Sequence, residues 1–216
     1  EITTTGGKVI TTIPFTGSIP NGTDGTEGDV TDYENAYEKL ESLDINTVVP
    51  WTSDQTVIET KTKEHCTAAA LKGNERNAYV GTATLATLND IRGHIDMINY
   101  RNVSIVAQGI TLSDRTVKAE PKWTALLLAS MQAATPIARA LTNLTPNILG
   151  TSESFDPQKD AEALTSAGAI LINSKSQRLR VVRSVTTYIS EPEHVVYTEM
   201  SAVESLNICL KDLRSR

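Results

Sequence analysis

Leu88, Ile91, Ile95 and Ile98 recur at gaps of three, four and three, which places all four on one face of a helix. Tyr33, Ala36, Tyr37 and Leu40 follow the same rule. They predict a helix that opens on a capping box from Thr31 to Glu34 and ends near Leu43. A further helix, capped by Ser53 or Asp54, carries Val57, Ala68 and Leu71 and stops at Gly73. Residues 122–135 are apolar nearly all round, with Trp123, Leu126, Leu127, Leu128 and Met131 and no outward polar stripe. That helix is expected inside the core. Asp156-Pro157 reads as a cap followed by a proline at the first helical position, with Ala161, Leu164 and Ala167 behind it and Gly168 at the end. A last helix from about Thr198 carries Val203, Leu206, Leu210 and Leu213.

Short runs of strand character lie between these helices, at residues 45–50, 77–81 and 103–107. Residues 169–172 are continuously apolar, as suits a strand covered on both faces. Residues 179–187 form another strand, hairpinned to it through Ser174-Lys175-Ser176-Gln177. Near the start, residues 8–15 suit an edge strand because of Pro14, and Asn21-Gly22 and Asp24-Gly25 mark residues 17–29 as a loop. Strands alternating with helices predict an α/β fold: a mixed, largely parallel sheet flanked by helices, with a small N-terminal strand and loop region. The division expected is residues 1–30 for that region and 31–216 for an α/β core domain. Residues 111–122 have no clear periodicity.

With 216 residues, the chain can bury roughly 70% of the surface its unfolded form exposes, so a core needs neither disulfides nor metals. Aromatic residues are 5% of the chain, which makes that core aliphatic. The net charge of −6 argues against a nucleic-acid partner. The one dense basic stretch is Lys175, Arg178, Arg180 and Arg183, and Arg178 and Arg180 share a strand face that reads as solvated. No apolar run approaches the roughly 20 residues of a bilayer span, so no membrane insertion is expected. The chain opens at Glu1 without Met, which suggests a fragment or a processed product. Asn-x-Ser/Thr tripeptides begin at Asn21, Asn102 and Asn143, and nothing else points to secretion.

The chemistry-bearing residues do not converge. His65 neighbours Cys66, but adjacent helical residues point about 100° apart, so surface or boundary roles are expected rather than a Cys–His dyad. His94 sits beside Gly93, off the strongest apolar stripe, and His194 follows Pro192 in a loop. No GxSxG elbow accompanies any histidine. Cys66 and Cys209 lie far apart, both in helices, and are expected to be buried free thiols. Gly81-Thr82-Ala83-Thr84 follows a strand and precedes a helix, but it has a single glycine and no GKT or GKS. The carboxylate pairs Asp29/Asp32 and Glu191/Glu193 are too few for an oxygen-ligand metal site, and residues 21–32 fail the EF-hand pattern. No catalytic, cofactor-binding or metal-ligating residue is therefore assigned.

Several segments, in order, resemble contractile bacteriophage tail sheath proteins. They are the loop 17–25, with Pro20-Asn21-Gly22 where glycines are usual, then Val30-Thr31-Asp32-Tyr33 and residues 36–41. Residues 43–50 are similar to the family's first sheet strand. Glu64-His65-Cys66 with residues 73–81 are similar to its helix, turn and second strand. Residues 125–136 are similar to an Ala-rich helix ending before a proline. Residues 168–172 and 180–187 are similar to a strand pair ending in Val-Thr-Thr, and residues 199–213 to a terminal helix. The order holds across roughly residues 17–213.

The resemblance implies a structural subunit without catalytic activity, although the family's domain carries a subtilisin-like label. Such subunits stack helically around a tail tube and contract when the baseplate is triggered, within a virion assembled in the host cytoplasm. Their terminal arms add strands to neighbouring subunits, a form of β-augmentation. The expectation for this chain is a core fragment without those long arms, monomeric in solution. The sheath of a secretion system or bacteriocin-like particle is the alternative. Outside that class stand an α/β enzyme or small-molecule binder acting at the strand C-termini, and an adhesive module anchored by Trp51.

Overall fold

The computed structural model describes residues 2–5, 8–11, 28–111, 118–153, 155–175, 178–191 and 193–215. Its centre is a four-stranded parallel sheet in the order β3 (Thr47–Val48), β4 (Asn77–Gly81), β5 (Val103–Val106) and β9 (Ala169–Ile170). Thr47 lies opposite Asn77, Ala78 opposite Val103, and Ile105 opposite Ala169.

Side-chain alternation along these strands separates two cores. Ala78, Val80, Val103, Ile105 and Ala169 face the π-helical turn Val57–Lys61 and helices α2 (Thr62–Leu71), α3 (Leu88–Ile98) and α5 (Ala161–Ala167). Tyr79, Val106 and Ile170 face α4 (Pro121–Ala133) and Met200, the first residue of α7 (Met200–Ser215). The sheet is thus the middle of three layers, and its strands are apolar on both sides, as buried parallel strands must be. Successive right-handed crossovers from β3 to β4 to β5 account for α2 and α3 sharing a face.

The remaining strands are peripheral. A hairpin joins β1 (Ile2–Thr5) to β2 (Lys8–Thr11), and helix α1 (Val30–Leu40) follows. A three-stranded antiparallel sheet has β6 (Gly109–Thr111) between β7 (Lys118–Ala119) and β8 (Gly150–Ser152). A second hairpin joins β10 (Ile172–Lys175) to β11 (Arg178–Val181), and the short helix α6 (Val195–Thr198) leads into α7.

Several expectations shift. Asp29, not Thr31, caps α1. Its carboxylate accepts from the Asp32 amide at 3.0 Å while Asp32 accepts from the Asp29 amide at 3.1 Å, and the helix closes at Leu40. A carboxylate there also meets the positive end of the helix dipole. The strand at 45–50 shrinks to two residues before Pro50. Leu71 is 86% exposed rather than inward, because the π-helical turn holds an extra residue per turn and rotates everything after it off the α-helical phase. Helix α4 is buried on one face only, and Trp123 and Leu126 are exposed.

Asp156 caps the turn before α5, accepting from the Gln158 and Lys159 amides, and α5 itself begins at Ala161. The apolar run 169–172 is split between β9 and β10, and the expected strand 179–187 pairs only as far as Val181. Helix α7 buries Met200, Val203 and Asn207 and leaves Leu213 exposed. The loop expected at 17–29 falls mostly outside the described residues.

Candidate functional site

The parallel strands end together, so the segments that follow β3 and β4 meet along one edge of the sheet. Gly81 closes β4 where the backbone of Pro121 and Lys122 crosses. A Cβ at Gly81 would lie 2.8 Å from the Lys122 Cα and closer still to its amide nitrogen. The lone glycine of the 81–84 segment therefore seats helix α4 and leaves no phosphate cradle.

Beside this contact the Trp51 ring meets Trp123 edge to face, with centroids 4.6 Å apart. Tyr33 donates its hydroxyl to the Trp51 carbonyl at 2.7 Å. The Lys122 ammonium lies 5.7 Å from the Trp51 ring centroid and pairs with Glu120 at 2.6 Å. Ser53 donates to the same oxygen, Glu120 Oε2, at 3.3 Å. The hydrogen bond from Lys122 holds the Glu120 carboxyl below its ordinary range, against the opposing effect of desolvation.

On the α2/α3 side of the same edge lies a cleft of about 660 Å³, lined among others by Ser53, Thr84, Asn89, Asp90, Gly93 and His94. His94 is buried on α3, and its Nδ1 lies 2.6 Å from Glu59 Oε1. Glu59 comes from the π-helical turn and also accepts from Gln55 Nε2 at 2.9 Å. Thr87 and Asp90 form the capping box that starts α3. The Thr87 hydrogen bonds hold the Asp90 carboxyl below its usual range.

His65 is buried, contrary to the surface or boundary role expected of it, and Cys66 is buried as expected of a free thiol. The His65 ring stacks on Tyr37 with centroids 4.4 Å apart, and its Nε2 lies 3.3 Å from the Arg76 guanidinium. Burial, then the Arg76 charge, push the His65 imidazole down to about 4. Burial pushes the fully enclosed Cys66 thiol up to about 12, the setting of an inert thiol. Cys209 is exposed, the reverse of the expectation, because it lies off the buried stripe of α7.

His194 pairs with Glu191 at 2.6 Å on the surface. Asp29 and Asp32 are consumed by the α1 cap. No group of three or more His, Cys, Asp or Glu side chains among the described residues is placed to hold a metal ion. The basic stretch is not gathered either: Arg183 pairs with Glu199 at 2.5 Å, Arg178 is exposed and Arg180 is half-buried. Among the described residues no helix is long and apolar enough to cross a membrane.

Sequence reasoning missed Glu59 and Arg76. Arg76 is buried and donates to the carbonyl oxygens of Leu40 at 2.9 Å, Leu43 at 2.8 Å and Asn74 at 3.1 Å. Its signal was an arginine directly before a strand, which by itself has no direction.

No family model and no curated sequence matches the chain. Solved structures do match it. The sheath tail protein from Desulfitobacterium hafniense superposes with a TM-score of 0.71 at 14% identity, covering 91% of this chain and 45% of that one. The sheath tail protein from Listeria innocua gives 0.64 at 14% identity, over 88% and 44%. The helical sheath of the anti-feeding prophage in its contracted state gives 0.59 at 12% identity, over 88% and 52%. This chain has the contractile tail sheath fold. It spans about half the length of the sheath proteins it matches.

Proposed function

We propose that this chain is a structural subunit of a contractile tail sheath and has a mechanical rather than a catalytic role. The observation that carries this reading is the likeness of nearly the whole chain to sheath proteins, in the strand and helix order expected from sequence. In this role the subunits polymerise with one another around a tail tube, attach to a baseplate, and contract to drive the tube through the host envelope. Residues 31–216 serve as the α/β core, and residues 1–30 as the N-terminal strand and loop region attached to it. Heterologous, non-closing contacts between copies give the helical array.

A phage tail, with the subunit assembled in the host cytoplasm and carried in the virion, is the setting we favour. A related injection particle is the alternative, because the solved relatives include an extracellular contractile injection system and an anti-feeding prophage. Electron microscopy of the natural full-length chain, expressed alone and with its tube protein, tests the reading. Helical tubes or sheathed tails support it. A dispersed monomer under both conditions overturns it in favour of an α/β binding protein.

A further inference from the structure

Glu59 and His94 form the most enclosed carboxylate–imidazole contact among the described residues, with side chains 11% and 8% exposed. They come from different elements, the π-helical turn and α3, and a π-helical turn inside a helix often marks a functional site. With a carboxylate at Nδ1 that nitrogen is the donor, so the tautomer with its proton there leaves the Nε2 lone pair as an acceptor. Neither His94 Nε2 nor Glu59 Oε2 has a hydrogen-bond partner among the described residues, and both residues line the 660 Å³ cleft. The remaining polar lining is Ser53, Gln55, Thr84, Asn89 and Asp90, with no lysine or arginine.

One further residue keeps this cleft open. Gly93 lies in the interior of α3 beside His94, and a Cβ built on it meets nothing within 4 Å. Glycine within a helix costs about 0.5–1 kcal/mol relative to alanine, and no close packing requires it here. What its missing side chain leaves is space at the cleft.

We propose that this cleft binds a small organic ammonium compound. The ammonium donates to His94 Nε2 and Glu59 Oε2, and the Asp90 carboxylate balances its charge. An organic cation fits better than a metal ion because the described residues bring no three metal-ligating side chains together. The cleft volume lies within the usual range of about 300–1,000 Å³ for small-molecule sites. It also sits where parallel α/β sheets hold ligands, outside the carboxyl ends of the strands. The proposal does not depend on the sheath role.

The test is an NMR titration of the isotope-labelled protein with 1,4-diaminobutane, using uncharged 1,4-butanediol as the matched control. Saturable shifts of the Thr84, Asn89, Gly93 and His94 amides with the diamine only are expected. Glu59→Gln should weaken the apparent affinity at least about tenfold, the size of one lost charged contact. Gly93→Leu should abolish binding by filling the cleft while the spectrum stays dispersed, because a Cβ at this position meets nothing within 4 Å. No saturable shift at millimolar diamine, equal shifts with the diol, or an affinity untouched by either substitution overturns the proposal.

Discussion

Trp51 and Trp123 meet edge to face across the end of the sheet, with ring centroids 4.6 Å apart, one following β3 and the other in the first turn of α4. The pair ties the exposed side of α4 to the loop after β3, and Lys122 lies over the Trp51 ring. A double-mutant cycle with Trp51→Ala and Trp123→Ala is expected to give a coupling of about 0.5–1.5 kcal/mol in chemical denaturation. A coupling of zero would show that the rings only share a surface.

Arg76 holds the end of α1 onto the core. Its guanidinium serves four backbone carbonyls, those of Leu40, Glu41, Leu43 and Asn74, from a fully buried position, so Arg76→Met removes all four contacts at once. The expected loss is about 3 kcal/mol or more, read as a lower urea midpoint at unchanged slope. Arg76→Lys should rescue only a small part, because one ammonium cannot reproduce the planar fork.

Two glycines should respond to alanine with opposite signs. At Gly81 the new Cβ collides with the backbone of α4, and a loss of about 3 kcal/mol is expected. At Gly93 the Cβ enters open space within a helix, and a gain of about 0.5–1 kcal/mol is expected. Thermal unfolding of both variants checks the pair, and a shared sign would contradict the packing described for one of them.

The pH dependence of stability carries a signature of His65. Its folded pKa, about 4, lies below the ordinary 6.5, so between these values the unfolded chain binds up to one more proton than the native one. This contribution to stability is complete above about pH 6.5 and is lost as pH falls towards 4. Desolvation raises the Glu204 carboxyl and works in the opposite direction, favouring the native state as pH falls. The wild-type profile therefore mixes both, and the informative measurement is its difference from His65→Gln. That variant should lose less stability than the wild type between pH 7 and 5. Parallel profiles would show that His65 takes no part.

Local signals were sufficient where one element set its own boundaries. The 3-4-3 spacing of Leu88, Ile91, Ile95 and Ile98 gave α3, and all but Leu88 are buried in it. Residues 77–81 were legible as β4, and Gly73 and Gly168 end their helices with positive φ, where glycine has no steric penalty. The parallel order of β3, β4 and β5 followed from alternation with helices. The resemblance to sheath proteins, stated from collinear motifs, agrees with the fold.

What only the tertiary structure decided were relations between elements. Periodicity indicates that a helix has an apolar face, but α4 has apolar residues on every face. Only its seating on Gly81 determined that Leu128 turns inward and that Trp123 and Leu126 turn out. A π-helical turn has no reliable sequence signature, so the rotation that exposes Leu71 and brings Glu59 to His94 could not be read in advance. The three-stranded sheet of β6, β7 and β8 rests on pairings between short segments far apart in the chain, and such strands gain stability only once closed on each other. Hydrophobic spacing acts within a few turns of chain. Burial of His65, Arg76 and His94 depends on which elements pack over them, and that is settled only when the layers close.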